Sequence, residues 1–354
     1  MRAFIEPMAE KDMMEQISSL WELTGNTPMV EIVYTFRGEK RSVFAKCEYY
    51  NLTGSIKDRM ALYILQNAYE ARNIKPGDTI VEATSGNTGI ALAAIGRKLG
   101  HAVKIIIPDW LSRERMDIIS SLGADLIKVS QEEGGFVRSI RLSEEMAVGD
   151  DRIFLPRQFA NEYNIEAHEN TTGPEIWEQF HTIGRLPEAF VAGVGTGGTV
   201  MGVGRFLKGK NVFITVHPLE PAESPTLTMG RKTGTHRIQG ISDEFVPGIL
   251  NLPQLDPIIQ AHDGDAILVA QKLASELGLG VGISSGANFI GAVKLQNRYG
   301  GNLTVATVFS DSNKKYLSTD LMREEPLRHG YLAPDIKFLW YRSLGRLHPR
   351  LLKH

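Results

Sequence analysis

The chain has 354 residues and a mass of 39.2 kDa, long for a single core, so two domains are expected. Its 42% hydrophobic and 23% charged residues are ordinary for a globular protein, and a formal net charge of -2 leaves no electrostatic footprint for nucleic acid or an anionic membrane. The single cysteine, Cys47, excludes an intrachain disulfide framework and fits a reducing compartment; inside "SVFAKCEYY" it reads as a small buried hydrophobe rather than a nucleophile.

The opening "MRAFIEPMAEKDMMEQ" carries acids and lacks an apolar h-region, so it does not read as a signal peptide. No apolar run approaches the ~18–20 residues that cross a bilayer. A cytoplasmic protein without a membrane or nucleic-acid partner is expected. Along the chain, "SVFAKCEYY" precedes a helical pattern from Lys57 to about Arg72, with Met60, Ile64, Leu65 and Ala68 on one side. There follow "TIVEATS", the helix "NTGIALAAIGRKLG", "AVKIIIP", the helix "RERMDIISSLG", "ADLIKVS" and "RIFLPRQ". The alternation resumes with "AFVAGVGT", a helix from Gly198 to Lys208, and "VFITVHPLEP". The helix "DAILVAQKLASELG", another from Gly286 to Tyr299, and "LTVATVFSDS" complete it. Continuous apolar strands between amphipathic helices imply an α/β fold of parallel sheets covered on both faces, with ligands at the strands' C-terminal edge. The stretch from Glu223 to Pro257, rich in Gly, Pro and Thr, reads as a loop system. From about Arg323 the chain turns basic and aromatic, and it reads as a structural arm packing on the body or on a partner subunit.

Three strand-end turns stand out. "EATSGNTGI" places Thr84, Ser85, Asn87 and Thr88 at a helix start, where unpaired N–H groups and the helix dipole receive a carboxylate or phosphate. Capping by Ser85 or Asn87 needs only one such residue. "GVGTGGTVMG" offers close backbone approach to a phosphate, and also contains G-x-G-x-x-G at Gly193, Gly195 and Gly198. With Glu220 at the end of the next strand, that motif taken alone equally describes a dinucleotide-binding oxidoreductase. "GISSGANF" sets Ser284 and Ser285 before a helix, where a capping serine is the usual explanation.

Lys57, in "NLTGSIKDRM", decides among these readings. A nicotinamide enzyme has no use for a lysine at an earlier helix start or for a second anion-binding turn. Pyridoxal phosphate needs a Schiff-base lysine, a phosphate cradle, a carboxylate site and a partner for its pyridine nitrogen.

"LTGNTPMVEI", "NLTGSIKDR", "EATSGNTGIALA", "TTGPEIW", "GVGTGGTVMGVGRFLK", "HRIQGIS" and "GISSGAN" resemble, in order and spacing, the cysteine synthase/cystathionine β-synthase family of fold type II pyridoxal-phosphate enzymes. The resemblance runs from about residue 20 to 320. It implies a tryptophan synthase β-like fold of two doubly wound domains with mostly parallel sheets. Residues 50–158 would form a smaller, mobile domain, and 1–49 with 159–322 a larger one; 323–354 would be an extension. Lys57 is implied as Schiff-base lysine and α-proton base, and Gly195, Thr196, Gly197, Gly198 and Thr199 as the phosphate loop. Asn87 would meet the cofactor's ring oxygen, and Ser284 the pyridine nitrogen. Thr84, Ser85, Asn87, Thr88, Gln158 and Gly240 would bind substrate. His168, near "ENTTGPEIW", reads as structural, and Asp58 and Arg59 as holding the first helical turn.

A serine at the pyridine nitrogen makes a weaker electron sink than an aspartate, which favours prompt β-elimination over racemisation. The implied reaction is β-replacement through an α-aminoacrylate, O-acetyl-L-serine and sulfide giving L-cysteine and acetate, in a homodimer. Departures from the family pattern bear on the substrate. The chain reads Asn51-Leu52 for Asn-Pro, "GISDEFVP" for a glycine-rich loop, and "DSNKKYLS" where the family has D-S-G-E-R-Y-L-S. Ser242, Asp243 and Glu244 thus stand where the incoming side chain is sensed, and Arg237 or Lys232 could supply a cation for a phosphate leaving group. O-phosphoserine or serine as donor, homocysteine or an amine as acceptor, and a regulatory subunit of the same fold all remain open.

Overall fold

The computed structural model describes residues 10–348; the first nine residues and the last six, which hold part of the acidic N-terminus and of the basic tail, lie outside the described residues. The chain opens with α1 (Glu10–Glu22) and an antiparallel pair, β1 (Met29–Phe36) and β2 (Glu39–Cys47). It then crosses into α2 (Lys57–Glu70), β3 (Thr79–Ala83), α3 (Asn87–Lys98), β4 (Ala102–Pro108), α4 (Arg113–Ser121), β5 (Asp125–Val129), α5 (Gly135–Ala147) and the two-residue β6 (Ile153–Phe154). Next come α6 (Tyr163–Ala167), a π-helical turn, α7 (Gly173–His181), β7 (Ala189–Gly193), α8 (Gly198–Lys210), β8 (Thr215–Pro221) and the short α9 (Thr226–Met229). The chain closes with β9 (Ile259–Ala261), α10 (Asp263–Leu277), α11 (Ile283–Tyr299), β10 (Val305–Phe309) and β11 (Ile336–Gly345).

Two sheets result. The larger has the order β11-β1-β2-β10-β7-β8-β9, the smaller β5-β4-β3-β6. Every pair in the smaller sheet is parallel, as is every pair from β2 to β9 in the larger. Each sheet is covered on both faces because its strands carry apolar residues at consecutive positions, as a sheet buried on both sides requires. On one face of the larger sheet, Ile267, Ala270, Phe289 and Val293 of α10 and α11 pack on Ile32, Val191 and Val305. On the other, Ile165, Phe180, Met201 and Leu207 of α6 to α8 pack on Phe44, Phe190 and Ala306. The smaller sheet is covered by α2 and α3 over Ile80 and Ile105, and by Leu142 and Met146 of α5 over Val81 and Ile106.

Two features depart from the sequence-based expectation. Met13, Ile17 and Leu20 of α1 join the smaller sheet's core, although residues 1–49 were expected with the larger unit; an amphipathic helix packs where an open apolar face is offered, here by α2. "RIFLPRQ" yields a strand of only two residues, because it continues directly into the turn that carries Gln158. The C-terminal arm packs on its own chain, with β11 lying antiparallel on β1. Among the described residues no helix is long and apolar enough to cross a membrane.

Candidate active site

The parallel sheets direct their C-terminal ends toward one cavity. β3 leads into the "TSGNT" turn and the start of α3, and β7 leads into the glycine loop and the start of α8. β10 leads into Ser310 and Asp311, and α2 and α11 begin near them. The wall of the cavity includes Lys57, Ser85, Asn87, Thr88, Gln158, Gly195, Thr196, Thr199, Gly240 and Ser284. It opens outward into a cleft of about 570 Å³, and Ser85, Arg115, Gln239, Gly240, Ile241 and Asp243 belong to both spaces. Of the residues expected from sequence to hold the cofactor or the substrate carboxylate, three do not line it. Thr84 is buried with its hydroxyl accepting from the Gly86 N–H at 3.0 Å, so its hydroxyl closes the turn from behind. Gly197 and Gly198 lie beneath the loop, against Leu250 and Asn164.

Lys57 is placed by its flanks. The Asp58 carboxylate accepts from the Thr53 N–H at 2.8 Å and the Thr53 hydroxyl at 2.5 Å, fixing the turn before the helix. The Ile56 N–H donates to Ser310 O at 2.9 Å, which ties that turn to the end of β10. Lys57 keeps some exposed surface toward the cavity. Burial pulls its amine below the ordinary lysine range; the charges of Asp311 and Asp243 oppose this, and Lys315 adds to it.

On the "TSGNT" turn, Thr88 donates to Gln158 Oε1 at 2.6 Å, and Gln158 Nε2 donates to Ala83 O at 2.8 Å. Residues that follow the neighbouring strands β3 and β6 thus share one wall. At the glycine loop, Asn164 Nδ2 donates to the Thr196 hydroxyl at 2.9 Å, and the Thr199 hydroxyl lies 3.3 Å from His168 Nε2. His168 is held neutral by burial and by the charges of Arg59 and Lys57, which push its imidazole well below its ordinary range. A neutral ring reaching Thr199 supports the loop without adding charge to it.

Asp243 is the acid of the site. Burial, opposed by Lys57 and reinforced by Glu244, raises its carboxyl to about 7. Arg237 and Lys232, the candidate cations for a phosphate leaving group, are both engaged. Arg237 pairs with Glu325 at 2.6 Å and Asp320 at 3.4 Å, and Lys232 with Glu244 at 3.2 Å. Glu220, the acid that kept a dinucleotide reading open, is buried under other contacts. Its carboxylate accepts from Leu227 N at 2.7 Å, the Thr228 hydroxyl at 2.5 Å and Gln260 Nε2 at 3.0 Å. It serves the start of α9, with nothing left to reach a ribose.

Residues 20–311 match the family model described as "Pyridoxal-phosphate dependent enzyme". The chain belongs to this family. The chain is 39% identical over 308 residues to a cysteine synthase of Staphylococcus aureus, covering 86% of this chain and 97% of the relative. Among solved structures, a hydrogen sulfide-producing enzyme from Fusobacterium nucleatum is 53% identical with a TM-score of 0.90, covering 92% of this chain and 97% of that one. An aspartate-to-asparagine mutant of a hydrogen sulfide-producing enzyme, with the same identity and TM-score, is complexed with an α-aminoacrylate intermediate. An O-acetylserine dependent cystathionine β-synthase from Helicobacter pylori is 33% identical with a TM-score of 0.78, covering 87% and 98%. These place the chain with the cysteine synthase relatives of this pyridoxal-phosphate family, in agreement with the α/β fold of mostly parallel sheets described above.

The residues present fit the family's cofactor. A Cβ on Gly195 would stand 2.5 Å from Gly240 O and one on Gly198 2.1 Å from Asn164 Oδ1, so only glycine allows the loop to curl at the start of α8. That helix start is an anion-binding element, and Asn164 Oδ1 is buried without a partner beside it. Lys57 and Ser284 both line this cavity, as an amine and a hydroxyl serving one bound ring would have to. The enzyme also brings in residues that sequence reasoning did not assign. Asp311 accepts from Asn87 Nδ2 at 2.7 Å and from the Tyr316 hydroxyl, and Lys315 Nζ donates to Asn87 Oδ1 at 2.8 Å. Their one visible signal was the altered "DSNKKYLS" stretch, in which Ser312 caps the short helical turn that follows, accepting from Lys314 N.

Proposed function

We propose that this enzyme exchanges the β-substituent of an L-amino acid, with L-cysteine as donor and hydrogen sulfide as the group released. Lys57 would anchor the cofactor, Asn87 and Ser284 would contact its ring, and Gly195–Thr199 would hold its phosphate. Ser85, Asn87, Thr88 and Gln158 would take the substrate carboxylate, with Thr84 behind them and Gly240 against Gly195 of the glycine loop. When bound, pyridoxal phosphate supplies the electron sink for the charge left at Cα.

The observation that carries this reading is Asp243, which lines both the cavity and the cleft and whose carboxyl burial raises to about 7. Lys57 takes the α-proton. The Cβ–S bond breaks with its electron pair on sulfur, and the proton held by Asp243 goes to that sulfur. The resulting carboxylate then accepts the proton of a neutral nucleophile, water or a thiol, that adds at Cβ, and Lys57 returns the α-proton to Cα. A group titrating near the working pH can do both. The Fusobacterium enzyme, at 53% identity, produces hydrogen sulfide by its name and supports this reading.

The second reading is cysteine synthesis from O-acetylserine and sulfide, favoured by the relatives at 39% identity. Phosphate as leaving group is disfavoured by the pairing of Arg237 and Lys232. The two readings separate in one assay on the purified holoenzyme. Sulfide release from L-cysteine is compared with cysteine formation from O-acetylserine and sulfide, and the products of added water, thiol or amine are identified. Sulfide release at the higher kcat/KM is expected; cysteine formation ten times faster would give the second reading instead, and neither product would sink both. Asp243→Asn is expected to lower sulfide release by about 10²-fold and to remove a pH dependence centred near 7. The homodimer implied by the family resemblance is part of the proposal and is checked by light scattering.

A further inference from the structure

We propose that Lys315 is a positioning residue which, together with Asp311, fixes the Asn87 amide in the one orientation that turns an N–H into the cavity. The inference rests on the cofactor site described above. Asn87 begins α3, on the smaller sheet, whereas Asp311 and Lys315 follow β10 of the larger. The Lys315 ammonium, 4% exposed, donates to Asn87 Oδ1 at 2.8 Å and to Gly54 O at 3.3 Å. The Asp311 carboxylate, fully buried, accepts from Asn87 Nδ2 at 2.7 Å and is also held by the Tyr316 hydroxyl. Tyr316 in turn lies under the Arg115 guanidinium, 4.9 Å from ring centroid to Cζ.

The two ends of an asparagine amide are nearly the same shape, so packing alone does not choose between them. Here a cation stands at one end and an anion at the other. Reversing the amide would set its NH₂ against an ammonium and its carbonyl against a carboxylate, both away from water, where unpaired charge is most costly. One orientation survives. In it, one Nδ2 hydrogen is taken by Asp311, and the other, beside the Tyr316 hydroxyl on the cavity wall, is the one a ring oxygen bound in the cavity would take. The same ammonium binds Gly54 O in the turn before Lys57, so it references the lysine and the amide to one point. Lys315 does not itself line the cavity.

The test uses the full-length holoenzyme with Lys315→Met, Lys315→Gln and Lys315→Arg. Three quantities are read: the dissociation constant for pyridoxal phosphate, the ratio of its visible to near-ultraviolet absorption bands, and the thermal midpoint. Loss of one charge-assisted hydrogen bond predicts cofactor affinity about tenfold weaker in the Met variant. The band ratio should shift with it, because a misoriented amide no longer donates to the ring oxygen. The Gln variant should show the same change in smaller measure, and Arg should restore both. A lowered thermal midpoint with unchanged affinity and unchanged band ratio in Met and Gln would make Lys315 merely structural and overturn the proposal. Should the Met variant not fold, the Gln variant alone carries the same two outcomes. Because turnover is not measured, an enzyme that binds cofactor normally yet releases no sulfide would refute the proposed reaction and leave this inference standing.

Discussion

Arg59 grips Glu175 with two hydrogen bonds, 2.6 and 2.8 Å long, while its other edge holds Glu48 at 2.7 and 2.9 Å. None of the three side chains is more than 5% exposed, and Lys46 completes the cluster 2.7 Å from Glu175. The group joins α2 to α7 two residues after Lys57. Removing one member strands opposite charges in a dry site, so Arg59→Ala should cost roughly 3–5 kcal/mol, read from denaturant unfolding. Glu175 is buried, yet the charges of Arg59 and Lys46 outweigh that and hold its carboxyl far below the usual carboxylate range. A depressed carboxyl contributes stability that is complete above the unfolded value and is lost as pH falls below it. The gap between wild type and Arg59→Ala should therefore stay level above about pH 4.3 and narrow only in stronger acid.

Lys57→Ala should abolish covalent retention of the cofactor. Borohydride treatment followed by mass analysis would find no pyridoxyl adduct on the peptide from Asn51 to Arg59, whereas the wild type carries one. Sulfide release should fall by at least ~10²–10⁴-fold, the usual worth of a positioned acid or base. An adduct on another lysine would overturn the assignment.

Gly195→Ala should cripple cofactor binding more than folding. The new methyl would lie 2.5 Å from Gly240 O, a backbone atom that can yield only if the segment through Ile241 moves. Ser242 N donates to Val194 O at 2.8 Å, so that displacement breaks a bond between the two loops and opens the cavity wall. Titration with pyridoxal phosphate is expected to show weakened uptake, with far-ultraviolet circular dichroism unchanged. Normal uptake would mean that the loops are not coupled.

Glu82 gives a pH dependence of the opposite sense to Glu175. Burial raises its carboxyl to about 8, although the backbone N–H groups of Gln158 and Ala83 partly oppose this. A raised carboxyl favours the protonated fold, so its contribution is complete below about pH 4.3 and is lost as pH rises toward 8. Glu82→Gln cannot ionise and should gain on wild type through that window by a few kcal/mol, since each tenfold change in proton affinity is about 1.4 kcal/mol. Thermal midpoints measured from pH 4 to 9 would show this; parallel curves would refute it.

The strand-end turns were legible in the sequence because their chemistry is local. Glycines, hydroxyls and an amide crowd into six or seven consecutive residues, and a helix must start beside them. Asp311 and Lys315 were not legible, since their meaning lies in Asn87, more than two hundred residues earlier, and only the parallel sheets bring them together. Thr84 misled for a related reason. A hydroxyl next to a ligand-binding turn looks the same in sequence whether it faces the ligand or the loop's own N–H, and here it faces Gly86. The placement of α1 was hidden because an amphipathic pattern announces an apolar face without naming its partner.

The antiparallel seating of β11 on β1 bears on how the molecule is made. Phe36 lies opposite Ile336, so the outermost ladder of the larger sheet joins the earliest strand to the latest one. On a ribosome, β1 and β2 emerge as a hairpin whose free edge must stay unpaired while both cores, and the cavity between them, are still being synthesised. Such long-separation pairing is paid for late in folding and slows it. The edge that β11 finally covers is therefore a place where an unfinished chain lies open to a chaperone, or to the same edge of another nascent copy.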